Sequence, residues 1–362
     1  MIATPRAASR RLKILYIAYP LLPISEESCG GAEQVLVNVE REMNRRGHDT
    51  VVAACRGSKV AGELFVTGEA PRGSDQFQVR NAEHNRRVLG LIRERGREFD
   101  LVHDQSGTFW QDLKPDDTLP VPVLVTLHLP RSFYSEEAFA RVPDVVTFNC
   151  VSQTQAASFR EVQAMCVPNG INLHKYSFSP RTGRYLLWLG RICEEKGTHL
   201  AIEVAQRTGR PLMIAGQVYP FSYHRHYFRE MIWPHLDGER VTWLESPNHQ
   251  LKLELLQNAH AVLIPSLVKE TSSLVAMEAM ACGTPVIAFR RGALPEVIAD
   301  GRTGFIVDST DEMARAIDRV EQISANECRQ HVEERFSATR MADDYELLYH
   351  RIAAKPNRAL AS

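Results

Sequence analysis

Short apolar runs alternate with longer stretches in which apolar positions recur every three or four residues, and this rhythm persists along most of the chain. In the first half the runs are Lys13–Ala18, Thr50–Ala54, Asp100–His103, Pro122–His128 and Val145–Val151. They are rich in Val, Ile and Leu and lack in–out alternation, which predicts strands buried on both faces of a parallel sheet. Between the first two, Ala32–Arg46 sets Val35, Leu36, Val39 and Met43 at helical spacing and then meets Gly47. That pattern predicts an amphipathic helix closed by a glycine.

A second series follows Pro168-Asn169-Gly170 and the polar stretch Lys175–Arg184. Strands are predicted at Tyr185–Gly190, Pro211–Gly216, Val241–Glu245, Ala261–Pro265, Pro285–Phe289 and Gly304–Val307. The intervening helices are Lys196–Thr208, Asn248–Asn258, Leu274–Cys282 and Ala293–Asp300, with turns at Asp300-Gly301 and Thr303-Gly304. The pattern describes an α/β chain of two Rossmann-like, doubly wound domains, 1–170 and 171–336. Phe336–Ile352 places Met341, Tyr345, Leu348 and Ile352 on one side. It predicts a closing helix, about 337–362, that packs back on the N-terminal domain.

Composition sharpens this picture only in places. With 362 residues, 44% of them apolar, the chain has room for two cores. A formal net charge of −1, with neither half strongly basic, excludes a nucleic-acid binder. Arg86, Arg87, Arg93, Arg95 and Arg97 are interleaved with Glu83, Glu94 and Glu98. They read as a solvated helix face, with a weak contact to anionic lipid or acceptor as the sharper alternative. The seven cysteines are scattered and form no CxxC pair, which suits a reducing cytosol rather than a disulfide framework or a zinc site. Met1–Arg11 is polar, and no apolar run nears the roughly eighteen residues that span a bilayer. The expectation is a soluble, cytoplasmic protein without a transmembrane segment and with at most weak peripheral membrane contact.

Three segments carry candidate chemistry. Ser28-Cys29-Gly30-Gly31-Ala32-Glu33 follows the first strand and opens a helix. Its glycines either turn the chain or let backbone N–H groups approach an anion, and the spacing is not the GxGxxG of a dinucleotide site. Leu189-Gly190-Arg191-Ile192-Cys193-Glu194-Glu195-Lys196-Gly197 follows the first strand of the second domain. Arg191 and Lys196 either form surface ion pairs with Glu194 and Glu195 or hold a diphosphate and absorb its charge as it leaves. In the third segment, Ile264 to Ala288, Glu270 lies in a loop and Glu278 in the helix after it. Ser272 or Ser273 caps that helix, directing its first N–H groups toward a phosphate. The small and apolar neighbours Ala276, Met277, Ala279 and Met280 imply that the Glu278 carboxylate is buried, ready to accept from vicinal hydroxyls.

These residues resemble the family-four retaining glycosyltransferases of the GT-B fold, over nearly the whole chain. Gly30-Gly31-Ala32-Glu33 is similar to the family's N-terminal glycine loop, and Gly190-Arg191 with Lys196-Gly197 to its basic diphosphate motif. Glu270 to Glu278, continued by Ala279 to Ala288, resembles its two-glutamate signature. Leu294-Pro295-Glu296-Val297 and Asp300 to Val307 match the usual continuation.

The resemblance implies two domains facing a central cleft. It implies that Arg191 and Lys196 bind the donor diphosphate and stabilise the leaving group, that Glu278 holds the ribose, and that Glu270 holds the donor sugar. The backbone of Ser273, Leu274 and Val275 would serve the phosphates, Gly30 and Gly31 would let the N-terminal domain close over the diphosphate, and His128 would lie near the donor sugar. His103-Asp104, at a similar strand end, is a candidate lining for the acceptor cleft. No metal-ligand spacing is evident, so Arg191 and Lys196 stand where a divalent cation would, and no cofactor is required beyond a nucleoside-diphosphate sugar donor, UDP by preference. The partners implied are that donor and a hydroxyl-bearing acceptor.

One departure is local. Where the family usually has a glycine shortly beyond the first glutamate, this chain has Thr271-Ser272-Ser273, which bears on which sugar is transferred. Three alternatives stand beside transfer: a nucleotide-sugar epimerase, a phosphate-dependent sugar phosphorylase, and a non-catalytic sugar-nucleotide-binding module.

Overall fold

A computed structural model describes residues 10–354 apart from 29, 72, 141 and 180–182. The polar N-terminal residues 1–9, Cys29 of the glycine loop, and 355–362 of the predicted closing helix lie outside the described residues. The chain divides into two compact units, the first comprising Met1–Val151, Ser158–Val167 and Met341–Ser362, the second Ser152–Ala157 and Pro168–Arg340.

The first unit is built on seven strands: β1 Lys13–Ile17, β2 Asp49–Ala54, β3 Glu63–Val66, β4 Leu101–Asp104, β5 Val123–Leu127, β6 Val146–Cys150 and β7 Ala164–Cys166. They pair in parallel in the order β3-β2-β1-β4-β5-β6-β7. The central strands are apolar on both faces because helices cover both. Ile14, Leu15, Tyr16 and Ile17 are all 0% exposed. The edge strands β3 and β7 were not predicted. They are short and only half-buried, four and three residues, so their apolar runs are too brief to stand out.

The second unit has six parallel strands: β8 Tyr185–Leu189, β9 Leu212–Ala215, β10 Val241–Leu244, β11 Ala259–Ile264, β12 Val286–Phe289 and β13 Gly304–Val307. Their order is β10-β9-β8-β11-β12-β13. In each sheet the order reverses once, between β1 and β4 and between β8 and β11. Open parallel sheets bind ligands in the crevice beyond the carboxyl ends of the strands at such a reversal. The loops after β1, β4, β8 and β11 are therefore where chemistry is expected.

Most predicted helices fall where the periodicity put them. The first runs Gly31–Arg45, with Gly47 at φ +89 beyond its end. The basic cluster lies in and just after the helix Phe77–Arg95. Arg93 and Arg95 pair there with Asp117 and Glu98, leaving Arg86 and Arg87 exposed. Ala293–Asp300 needs correction, since the helix is the single turn Leu294–Val297. Ile298 is already extended, and the Ala299 N–H turns to the Thr303 hydroxyl at 3.0 Å instead of continuing the helix.

The closing helix, Ala338–Ala353, joins the first unit from Met341 onward. Tyr345 and Tyr349 are 0% exposed, and both end in a buried polar chain. His103 Nδ1 meets Tyr349 Oη at 2.7 Å and its Nε2 meets Thr126 Oγ1 at 2.8 Å. Thr126 Oγ1 contacts Tyr345 Oη at 3.1 Å, and Asn149 donates to that oxygen at 3.2 Å. Arg46 adds ion pairs to Asp343 and Glu346 at 2.9 and 2.7 Å. The reading of His103-Asp104 as acceptor-cleft lining is thereby corrected. His103 holds the closing helix to the sheet, and Asp104, 0% exposed, accepts from Ser106 Oγ and from the N–H groups of Ser106 and Trp110.

Candidate active site

The reversal between β8 and β11 brings two loops together. The Leu267 N–H donates to the Glu195 carbonyl at 2.9 Å, and Gly197, at φ +67, is where the first loop touches the second. A Cβ on Gly197 would collide with the Pro265 carbonyl, so only glycine permits this approach. The result is that Lys196, from the β8 loop, lies with its Nζ 2.6 Å from Glu270 Oε1 of the β11 loop. Ser266 Oγ donates to the same carboxylate oxygen. Arg191 occupies the outer side of the β8 loop, 3.3 Å from Glu195 Oε1 and with its guanidinium 5.5 Å from the Tyr219 ring centre.

Glu270 is held through its backbone as well. Its carbonyl accepts from the Ala293 N–H at 2.7 Å, and Gly292, at φ +58, leaves no room for a Cβ against that same carbonyl. This clamp was not foreseen, although Arg291-Gly292 is a turn signal in the sequence.

Glu278 is 2% exposed on the helix Leu274–Ala281, as its neighbours implied. Tyr176 Oη donates to its Oε1 at 2.6 Å, and Lys252 Nζ donates to the same oxygen at 2.9 Å. Sequence reasoning missed both partners. Tyr176 lay in a segment read as a polar connection, and Lys252 in an unremarkable helix. Arg329 steadies the arrangement by donating to the carbonyls of Tyr176 and Ala281 at 2.6 and 3.0 Å.

The two glutamates thus share one design. Each has Oε1 engaged by a lysine and a hydroxyl, and the hydrogen bonds of each leave Oε2 without a partner among the described residues. A carboxylate fixed in this way keeps acceptor capacity for an outside hydroxyl.

Between them, Ser273 caps the helix, its Oγ accepting from the Ala276 N–H at 3.3 Å. Met277 N–H bonds to the Ser273 carbonyl, so the first helical N–H groups, Leu274 and Val275, stay available at the positive end of the helix dipole. The Ser272 hydroxyl is buried and makes no hydrogen bond within the described residues.

In the first unit the predicted residues gather at the other reversal. Gly30 precedes the helix Gly31–Arg45, and a Cβ there would collide with the Glu33 carboxylate folded back over it. Burial pushes the Glu33 pKa up. His128, just past β5, lies with Nε2 2.6 Å from Gln105 Oε1, just past β4.

Burial also lowers the pKa of His128 and of His84 to about 4, and that of His103 well below its ordinary 6.5. These imidazoles stay neutral in the folded chain but take up protons once unfolded, so stability is lost as pH falls from 6.5 towards 4. Asp104 opposes this. Burial raises its pKa from 3.8 to about 6, so it favours the folded state as pH falls through that window. Glu33, raised by burial, acts in the same sense as Asp104, while His199, His224, His260 and His331 are lowered like the other three. With the histidines outnumbering the two carboxyls, the urea midpoint is expected to be lower at about pH 5 than at about pH 7.

With this geometry in hand, the chain's relatives can be read. Residues 29–175 match the family described as Glycosyltransferase Family 4, and residues 172–337 match Glycosyl transferases group 1. The chain belongs to this glycosyltransferase family, and its two parallel-sheet units are the GT-B fold. It is 33% identical to glycogen synthase of Mycobacterium tuberculosis over 147 residues, 38% of this chain and 34% of that protein. The matched stretch thus spans about a third of that relative's length. Among solved structures, the sucrose-phosphate synthase of Thermosynechococcus elongatus aligns with a TM-score of 0.79 at 19% identity, over 95% of this chain and 100% of the other. Anabaena Alr3699/HepE, solved in complex with UDP and glucose, aligns with a TM-score of 0.73 at 17% identity, over 94% and 100%.

Proposed function

We propose that this protein transfers a glycosyl group from a nucleoside-diphosphate sugar to a hydroxyl acceptor, with retention of configuration and without a catalytic metal. The observation that carries the reading is the pair of half-engaged glutamates flanking a capped helix start, beside Arg191 and Lys196. Glu278 accepts from the ribose hydroxyls, Glu270 from those of the donor sugar, and the N–H groups of Ser273, Leu274 and Val275 face the phosphates. Lys196 and Arg191 neutralise the diphosphate as the sugar–oxygen bond breaks, which stabilises an oxocarbenium-like transition state. The acceptor oxygen then attacks from the face the diphosphate leaves, and the leaving oxygen takes its proton.

Roles for Gly30 and Gly31 at the diphosphate, and for His128 at the donor sugar, rest on family resemblance. A uridine donor is our first choice, supported by the UDP held by the Anabaena protein of the same fold. The free cysteines suit a reducing compartment, and we assign the activity to the cytoplasm. No described helix is long and apolar enough to cross a membrane.

The test offers a panel of UDP- and ADP-sugars with hydroxyl acceptors in excess chelator, following nucleotide release and the anomeric configuration of the product. Release of diphosphate with a product of the donor's configuration is expected. An inverted product, or turnover that requires free phosphate, overturns the reading, as does the absence of release from every donor.

A further inference from the structure

Beside Arg191 lies a second cluster that transfer does not use. Cys193, Glu195 and His224 present a sulfur, a carboxylate oxygen and a ring nitrogen that all lie within 4.8 Å of one another. Cys193 and Glu195 come from the β8 loop, and His224 from the short helix Ser222–Tyr227 that follows the neighbouring strand β9. No CxxC spacing announces such a grouping; the sheet order assembles it.

His224 supplies the second, independent observation. It is 0% exposed, and neither ring nitrogen has a hydrogen-bond partner among the described residues. A neutral imidazole carries one donor and one acceptor, and leaving both unpaired in the interior is costly. The rings of Tyr219, Phe221 and Tyr223 surround it at 6.2, 5.3 and 4.3 Å between centres. Cys193 is 0% exposed, with its thiol donating to the Arg191 carbonyl across 3.4 Å. Glu195, its side chain 37% exposed, opens the cluster to solvent.

We propose that Cys193, Glu195 and His224 form a binding site for a zinc-class divalent cation, with solvent completing a four-coordinate shell. Thiolate, imidazole and carboxylate together suit a borderline-soft ion and disfavour magnesium or calcium. The thiolate and carboxylate charges balance the ion, whose binding expels the thiol proton into solvent. Because Glu195 also faces Arg191 at 3.3 Å, the ion and the guanidinium compete for this carboxylate. The site is therefore joined to the loop that carries the proposed diphosphate cations without being part of the transfer chemistry.

Titrating the full chain with Co²⁺, under a reductant that does not bind metals, tests this directly. One equivalent is expected to bind with a thiolate-to-cobalt charge-transfer band in the near ultraviolet, displaced by Zn²⁺. Cys193→Ser should abolish the band. Glu195→Gln, at the solvent-facing edge where the fold is safe, should weaken binding by about tenfold. The other potential ligand group, His48, Glu346 and His350, contains no sulfur, so cobalt bound there gives no such band. No band at excess cobalt, or a band unchanged in both variants, overturns the site whatever the outcome of the transfer assay.

Discussion

Replacing Lys196 with alanine is expected to lower kcat by about 10²- to 10³-fold while the protein stays folded. The ammonium stands at the strand-order reversal, where β8 and β11 diverge, and in the free protein it is paired with Glu270. Removing it takes away the charge proposed to meet the departing diphosphate, and it leaves the Glu270 carboxylate with only Ser266 on Oε1. The side chain is 31% exposed, so its loss opens no cavity and the melting temperature should barely move. The check is steady-state kinetics with donor and acceptor varied in turn. A kcat within about threefold of the parent removes Lys196 from the proposed role.

Gly197→Ala should act on the fold and through it on the site. The residue sits at φ +67, which costs an alanine roughly 1–2 kcal/mol, and the new methyl would meet the Pro265 carbonyl, a backbone atom with no freedom to swing away. Together these give a destabilisation of about 3 kcal/mol, with a loss of transfer, because relieving the collision parts the loops that hold Lys196 against Glu270. Gly209 is the matched control. Its φ is +66 but nothing lies within 4 Å of the added atom, so Gly209→Ala should cost only about 1 kcal/mol. Urea denaturation of both variants separates the close approach from the backbone strain. Equal midpoints would contradict the close approach.

What was legible in the sequence follows from how much each element is buried. β13 was predicted at its observed bounds, because an apolar run between a glycine turn and the polar Asp308-Ser309-Thr310 has no other use in a parallel sheet. The edge strands β3 and β7 and the polar helix Phe77–Arg95 bury too little to write a pattern. At the site, the charged motif residues were visible because charges in the loops after buried strands call for an explanation. Their partners were not. Tyr176, Lys252 and Gly292 reach Glu278 or Glu270 from other segments of the chain, and linear spacing encodes none of these contacts; Ser266 is only four residues from Glu270, but a serine there gives no sign of its bond. The feature they reveal, one carboxylate oxygen engaged and one left open on each glutamate, is the geometry on which the proposed sugar binding rests.

In the proposed function, the β8 and β11 loops of the second unit hold a nucleoside diphosphate through Arg191 and Lys196. Calorimetric titration of UDP and ADP in excess chelator tests it most directly, comparing the parent chain with the double variant Arg191→Ala, Lys196→Ala. One nucleotide is expected to bind per parent chain, with affinity reduced by about 100-fold or more in the double variant, since two charge-assisted contacts are lost. Equal affinity in the two proteins, or no binding of either nucleotide by the parent, would contradict it.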